Sequence, residues 1–104
     1  MVIVSKKERF IIIPYKVIVD SNLHYLDKIL YGEIISLSNK KGYCYANNKY
    51  FMEENKITKQ VLLRGLKRLE ENKYIEIIYA LNKSNADKRT IYLTDKVVLK
   101  IVPQ

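Results

Sequence analysis

Residues 58–72 carry the side chains whose types and spacing point most clearly to a chemistry. Gln60, Arg64 and Lys67 lie four and three residues apart, so they share one face if this segment is helical. All three offer hydrogen-bond donors that suit the edges of nucleic acid bases. Arg and Lys match the O6 and N7 atoms of guanine, and Gln matches the N6 and N7 atoms of adenine. This face is therefore a candidate for base recognition.

Residue types that often serve catalysis or metal binding occur here without partners. His24 is the only histidine and Cys44 the only cysteine, so neither a metal-binding pair nor an intramolecular disulfide is expected. The adjacent glutamates at 53–54 and 70–71 would point apart on helices, and no glycine-rich phosphate loop occurs. The sequence predicts a non-enzymatic protein with no cofactor and no metal, in which His24 is structural or exposed and Cys44 is buried.

The charge of the chain is strongly basic and unevenly placed. Its 104 residues include 19 Lys plus Arg against 11 Asp plus Glu, a net charge of +8. Residues 56–73 alone hold six basic and two acidic side chains, a net charge of +4. Such a surface attracts a polyanion. Because the apolar runs fall far short of the ~20 residues that cross a bilayer and no secretion signal opens the chain, we expect a cytoplasmic protein without membrane contact.

The first elements are indicated by their apolar pattern. Residues 10–13 are rich in β-branched side chains and stop at Pro14, which is typical of a short edge strand or an extended arm. Residues 25–38 repeat apolar side chains at the spacing of one helical face, so they predict a core helix.

A short extended segment and a brief helix come next. Residues 43–46 favour an extended conformation, and Asn47 or Asn48 can cap a helix that ends in a turn at 55–57. Most of the nine tyrosines fall within apolar patterns. For them half-buried packing is expected rather than stacking on unpaired bases.

The basic segment predicts a third helix with two different faces. Thr58 is a good N-cap, and the helix runs to about Asn72. One stripe is apolar and contains Leu62, Gly65, Leu66 and Leu69. A glycine within a helix costs ~1 kcal/mol relative to alanine, so Gly65 indicates close approach of another helix on the buried side.

Two strands follow this helix. Residues 74–80 and 89–94 predict a β-hairpin joined by a polar turn. Lys83, Lys88 and Arg89 make its tip cationic. The fold class predicted from these elements is α+β: three helices, a small antiparallel sheet and a C-terminal hairpin wing.

This order of elements resembles the winged helix-turn-helix domain. The sequence at 58–75 is similar to its recognition helix leading into the wing. The sequence at 30–39, with 42–48 after it, looks like the N-terminal domains of DnaD-like replication initiation proteins of phages and plasmids. The resemblance covers roughly residues 9–95. Leu63 departs from it, because many relatives have a small polar residue there, and no C-terminal oligomerisation or helicase-loader domain follows.

The expected DNA contacts combine this fold with the chemistry of the side chains. Gln60, Arg64 and Lys67 would read base edges beside Leu63. The other residues would lie near the rims of the groove, except that the basic residues of the wing would meet phosphates or enter a minor groove. The full predicted set is Asn47, Asn48, Lys49, Thr58, Lys59, Gln60, Leu63, Arg64, Lys67, Arg68, Lys83, Lys88 and Arg89.

The resulting hypothesis is a DNA-binding protein in replication or maintenance of a mobile element. A single winged domain would span 1–104, with 1–9 and 96–104 as terminal arms or edge strands that could pair in a homodimer. Duplex DNA is favoured over single-stranded DNA, and replication proteins are candidate partners. The alternatives are a transcriptional regulator, a single-stranded DNA binder, and a protein-interaction module that uses Leu63 and the apolar segments 2–4 and 97–99.

Overall fold

The structure is a computed structural model that describes residues 2–6, 9–39, 41–79 and 88–94. Its elements are β1 (Val2–Lys6), β2 (Arg9–Ile13), α1 (Tyr15–Ile18), α2 (Tyr25–Ser38), α3 (Asn48–Asn55), α4 (Lys59–Glu71), β3 (Ile75–Tyr79) and β4 (Arg89–Leu93). This α+β arrangement confirms the predicted winged helix-turn-helix class. The one-turn helix α1 was not predicted.

An N-terminal hairpin packs on the central helix. β1 and β2 pair antiparallel, with Val2 opposite Ile13 and Lys6 opposite Arg9. Ile11 and Ile13 are buried against α2 at Gly32. A Cβ added at Gly32 would lie 3.0 Å from Ile13 Cγ1 and 3.1 Å from Ile11 Cδ1. The absence of a side chain there lets the hairpin approach the helix closely.

Helix α2 holds the two halves of the fold together. Its bounds, Tyr25–Ser38, agree with the helix predicted for this segment. It contacts β2 on one side and α4 and β4 on the other. Leu30, Tyr31 and Ile34 are fully buried. Burial of one such apolar side chain contributes ~1.5–3 kcal/mol, so these three positions stabilise the core by several kcal/mol.

The second sheet follows α4. β3 and β4 pair antiparallel, which confirms the predicted hairpin strands, and their register runs from Ile75 opposite Leu93 to Tyr79 opposite Arg89. The turn expected between them lies outside the described residues. Cys44 adds a one-residue third strand: its N–H donates to Ile91 O at 2.9 Å, and its carbonyl accepts from Ile91 N at 2.7 Å. Cys44 is buried, as predicted, and burial raises the pKa of its thiol.

Among the described helices, none combines the length with the apolar character that crossing a bilayer requires.

Candidate nucleic-acid interface

A tight turn and a side-chain cap set the start of helix α4. Lys56 ends α3 in the left-handed conformation, with φ of 53°, and Ile57 N donates to Met52 O at 3.1 Å. Thr58 Oγ1 then accepts a hydrogen bond from Val61 N at 3.3 Å, which confirms the predicted N-cap. The turn redirects the chain within three residues, so α3 and α4 form a helix-turn-helix unit.

The inner face of α4 rests directly on α2. Leu62, Leu66 and Leu69 are buried. A Cβ added at Gly65 would lie 2.8 Å from Leu30 Cδ1 and 3.0 Å from Asp27 Oδ1, both on α2. This close crossing of two helices is the reason predicted for a glycine in the helix. It fixes which side of α4 faces outward.

The outer face of α4 presents polar and basic side chains to solvent. Lys59, Gln60, Arg64 and Lys67 are exposed, and Leu63 among them is 39% exposed. Lys67 lies 3.9 Å from Glu71, but both side chains are mostly in water, where such a pair contributes little. The donors expected to read bases therefore share one accessible surface, which we call the α4 face: Lys59, Gln60, Leu63, Arg64 and Lys67.

Arg68, expected near the rim of the interface, lies at the contact between α4 and α2. Its Nε lies 2.7 Å from Asp27 Oδ2 and its Nη2 lies 3.0 Å from Asp27 Oδ1, so the guanidinium grips the carboxylate with two hydrogen bonds. The Arg68 side chain is only 27% exposed, and that of Asp27 is fully buried. Hydrogen bonding to Asp27 raises the pKa of Arg68. Arg68 thus ties α4 to α2 rather than extending outward.

The residues predicted at the start of α3 divide between capping and surface. Asn47 Oδ1 accepts a hydrogen bond from Tyr50 N at 2.9 Å, so Asn47 is the N-cap of α3. Lys49 is exposed and lies 3.9 Å from Glu53 across one helical turn. The Lys49 side chain is 80% exposed, so its ammonium group remains accessible from solvent.

The wing differs most from the expectation for its basic residues. Arg89 is only 6% exposed, because its guanidinium donates to Asn48 Oδ1 and lies 5.8 Å from the centre of the Phe51 ring. Asn48 and Arg89 therefore join α3 to β4. Lys88 is exposed as predicted, and Lys83 lies outside the described residues.

The exposure of the tyrosines differs from the expectation that most of them pack half-buried. Tyr31 and Tyr74 are buried, but five of the nine are exposed: Tyr15, Tyr25, Tyr45, Tyr79 and Tyr92. Tyr43 and Tyr45 flank buried Cys44, so the alternation of a strand turns both rings away from the core. That alternation, visible in the sequence as Tyr-Cys-Tyr, was the signal for this outward placement.

The described residues contain no group of three or more His, Cys, Asp or Glu side chains that could hold a metal ion.

Comparison with known families bears on the same segment. A family model described as a helix-turn-helix domain matches residues 21–75, which are 55 of the 104 residues. The match includes α2, α3, the turn at Lys56 and all of α4. Searches against curated proteins and against solved structures gave no match. With more than half of its length matched, the chain belongs to the helix-turn-helix domain family.

Proposed function

We propose that the protein binds duplex DNA by inserting α4 into the major groove. The observation that carries this proposal is the α4 face: Gln60, Arg64 and Lys67 are exposed together on a helix whose opposite side is fixed against α2. An α-helix fits the major groove of B-DNA, where base pairs display distinct donors and acceptors.

The side chains of the α4 face divide naturally between base and backbone contacts. Arg64 and Lys67 suit guanine O6 and N7, Gln60 suits adenine N6 and N7, and Leu63 suits the methyl group of thymine. Lys59, in the first turn of α4, and Lys49, in the first turn of α3, suit phosphates at the groove edges. Arg68 and Arg89 support this surface indirectly. Arg68 holds α4 against α2 through Asp27, and Arg89 holds β4 against α3 through Asn48.

The test is fluorescence anisotropy with a labelled duplex across a salt series, comparing the parent protein with the Arg64→Ala plus Lys67→Ala variant. We expect the variant to bind about 30-fold more weakly or worse, because each side chain supplies ~1–3 kcal/mol at a base edge. We also expect parent binding to weaken steeply with salt, since counterions are released from the phosphates.

A matched control removes the same charge elsewhere. Lys16→Ala plus Lys73→Ala also lowers the net charge by two, but both residues lie outside α3 and α4. We expect this control to retain most of the duplex affinity. Equal losses in both double variants would show that only total charge matters, and the α4 proposal would then be wrong.

We further propose that this DNA binding serves replication or maintenance of a mobile element. The support is the resemblance of residues 30–48 to the N-terminal domains of DnaD-like initiators. The test is to fragment the whole DNA molecule that carries the gene and to select and sequence the fragments that the protein binds. Enrichment of repeated sites near a replication origin would support this role, whereas one palindromic site upstream of its own gene would favour transcriptional regulation instead.

A further inference from the structure

The outward side of the second sheet gathers aromatic rings in a way that duplex binding by α4 does not use. The pairing of Cys44 with Ile91 places Tyr43 opposite Tyr92 and Tyr45 opposite Thr90, all on the face away from the core. The Tyr43 ring centre lies 6.2 Å from that of Tyr45 and 5.8 Å from that of Tyr92. Three rings thus form one continuous aromatic surface.

A cavity of about 550 Å³ opens beside these rings. Its size falls in the ~300–1,000 Å³ range of sites that hold small organic groups. The lining residues used below are Lys41, Tyr43, Tyr45, Ile78, Tyr79 and Lys88. Tyr45 is 61% exposed, and Tyr79 and Ile78 are also exposed, so the cavity offers flat apolar surfaces to a ligand from solvent.

The charged side chains among the described residues of this cavity are all basic. Lys41 and Lys88 are exposed at it, and Lys41 Nζ lies 4.7 Å from the centre of the Tyr45 ring. The described residues that line the cavity include no Asp or Glu. Glu76 lies on the same side of the sheet but opposite Tyr92, away from the cavity lining. The site therefore suits a ligand that joins flat rings to negative charge.

We propose that this surface binds unpaired nucleotides of a single-stranded nucleic acid. We call it the tyrosine platform, and it consists of Tyr43, Tyr45 and Tyr92 with Lys41 and Lys88 beside them. Bases stack on Tyr45 and Tyr43, and Lys41 and Lys88 contact the phosphates on either side. A duplex cannot use these rings in the same way, because each base face is already covered by its neighbours in the stack. The platform lies on the sheet, whereas the α4 face lies on a helix, so substitutions can remove binding at one site without removing it at the other.

The test exploits the fact that the chain contains no tryptophan. Intrinsic fluorescence therefore comes from tyrosine, and a base stacked on a ring quenches it. The probe is an unstructured twelve-nucleotide oligothymidylate, followed by quenching and by anisotropy of an end label. We expect Tyr45→Ala to weaken its binding by about 5- to 150-fold, the effect of one lost base stack. Duplex binding by the same variant should change little.

Two further variants make the result specific. Tyr25→Ala removes the most exposed tyrosine, at 88%, which lies at the start of α2 away from the cavity lining, and should leave oligothymidylate binding unchanged. Arg64→Ala plus Lys67→Ala should lose duplex binding and keep oligothymidylate binding. No quenching at low salt, or equal losses for Tyr45→Ala and Tyr25→Ala, would overturn the proposal. The proposal would also be overturned if the protein formed a dimer that Tyr45→Ala dissociates while oligothymidylate binding stays unchanged.

Discussion

The buried carboxylate of Asp27 organises the residues around the contact between α2 and α4. It accepts a hydrogen bond from His24 N at 2.9 Å and two from Arg68, and Gly65 leaves the space that it occupies. A carboxylate taken out of water is costly unless such partners replace its hydration. The neighbouring basic residues therefore differ: the Lys67 side chain is 76% exposed, and that of Arg68 only 27%.

This pairing predicts that Arg68 matters for stability more than for DNA contact. Arg68→Met leaves the Asp27 charge buried without its main partner, and we expect a loss of about 3–5 kcal/mol in the free energy of unfolding, measured with urea. Lys67→Met, at an exposed neighbour, should change stability by less than about 0.5 kcal/mol. If Arg68→Met unfolds like the parent and loses about one unit of salt slope in DNA binding, Arg68 is instead a phosphate contact.

The residues of the interface were predictable from the sequence to different degrees. Thr58 and Gly65 were read correctly because a cap and a mid-helix glycine have local physical causes. The partners of Arg68 and Arg89 were not, because Asp27 and Asn48 each lie 41 residues away in the chain. Sequence spacing gives the face of a helix on which a cation lies, but not the carboxylate or amide that the fold brings to it.

At the scale of elements, periodicity was enough for the long helices and the hairpin strands. The short helix α1 was missed because its four residues contain too few positions to show a period. Pro14 indicates the end of a strand, yet proline at a helix start also favours a first turn. The extended segment at 43–46 was predicted, but its pairing was not, since the partner of Cys44 in the sheet, Ile91, is 47 positions further along.

The crossing of α2 and α4 predicts the effect of filling it. In an exposed helix Gly65→Ala would gain ~1 kcal/mol, but overpacking here costs ~1–3 kcal/mol, because the new methyl group meets Leu30 and the held carboxylate of Asp27. We expect a net loss of up to about 2 kcal/mol in urea denaturation. Gln60→Ala, on the exposed side of α4, serves as the control and should be nearly neutral. A clearly stabilised Gly65→Ala protein would contradict the close crossing.

At the scale of the whole molecule, two buried tyrosines link its stability to alkaline pH. Tyr31 on α2 and Tyr74 just before β3 are in edge-to-face contact, with ring centres 5.6 Å apart. Burial raises the pKa of Tyr31 from 10.0 to about 12. Burial, followed by a hydrogen bond to Asp20, also raises the pKa of Tyr74. Between these pKa values and the unfolded one, the folded chain holds more protons.

Stability should therefore be undiminished by these groups below about pH 10 and should fall as the pH rises toward about 12. Each tyrosine contributes a slope of at most ~1.4 kcal/mol per pH unit. Urea denaturation at several pH values measures it. Tyr31→Phe should lose stability less steeply over this range, because one titrating hydroxyl is gone. Identical slopes for the variant and the parent would show that Tyr31 ionises as easily folded as unfolded.

The bridge between Cys44 and Ile91 has a practical consequence for observing this molecule in motion. Thiol reagents react with the thiolate, and here burial both shields the sulfur and raises its pKa. The sulfur can meet a reagent only while the structure around it opens, for example when Cys44 separates from Ile91 of β4. Because Cys44 is the sole cysteine of the chain, alkylation of the protein reports on this one site. The rate at which Cys44 is alkylated therefore measures how often the sheet that carries the tyrosine platform opens, and no cysteine has to be introduced by mutation.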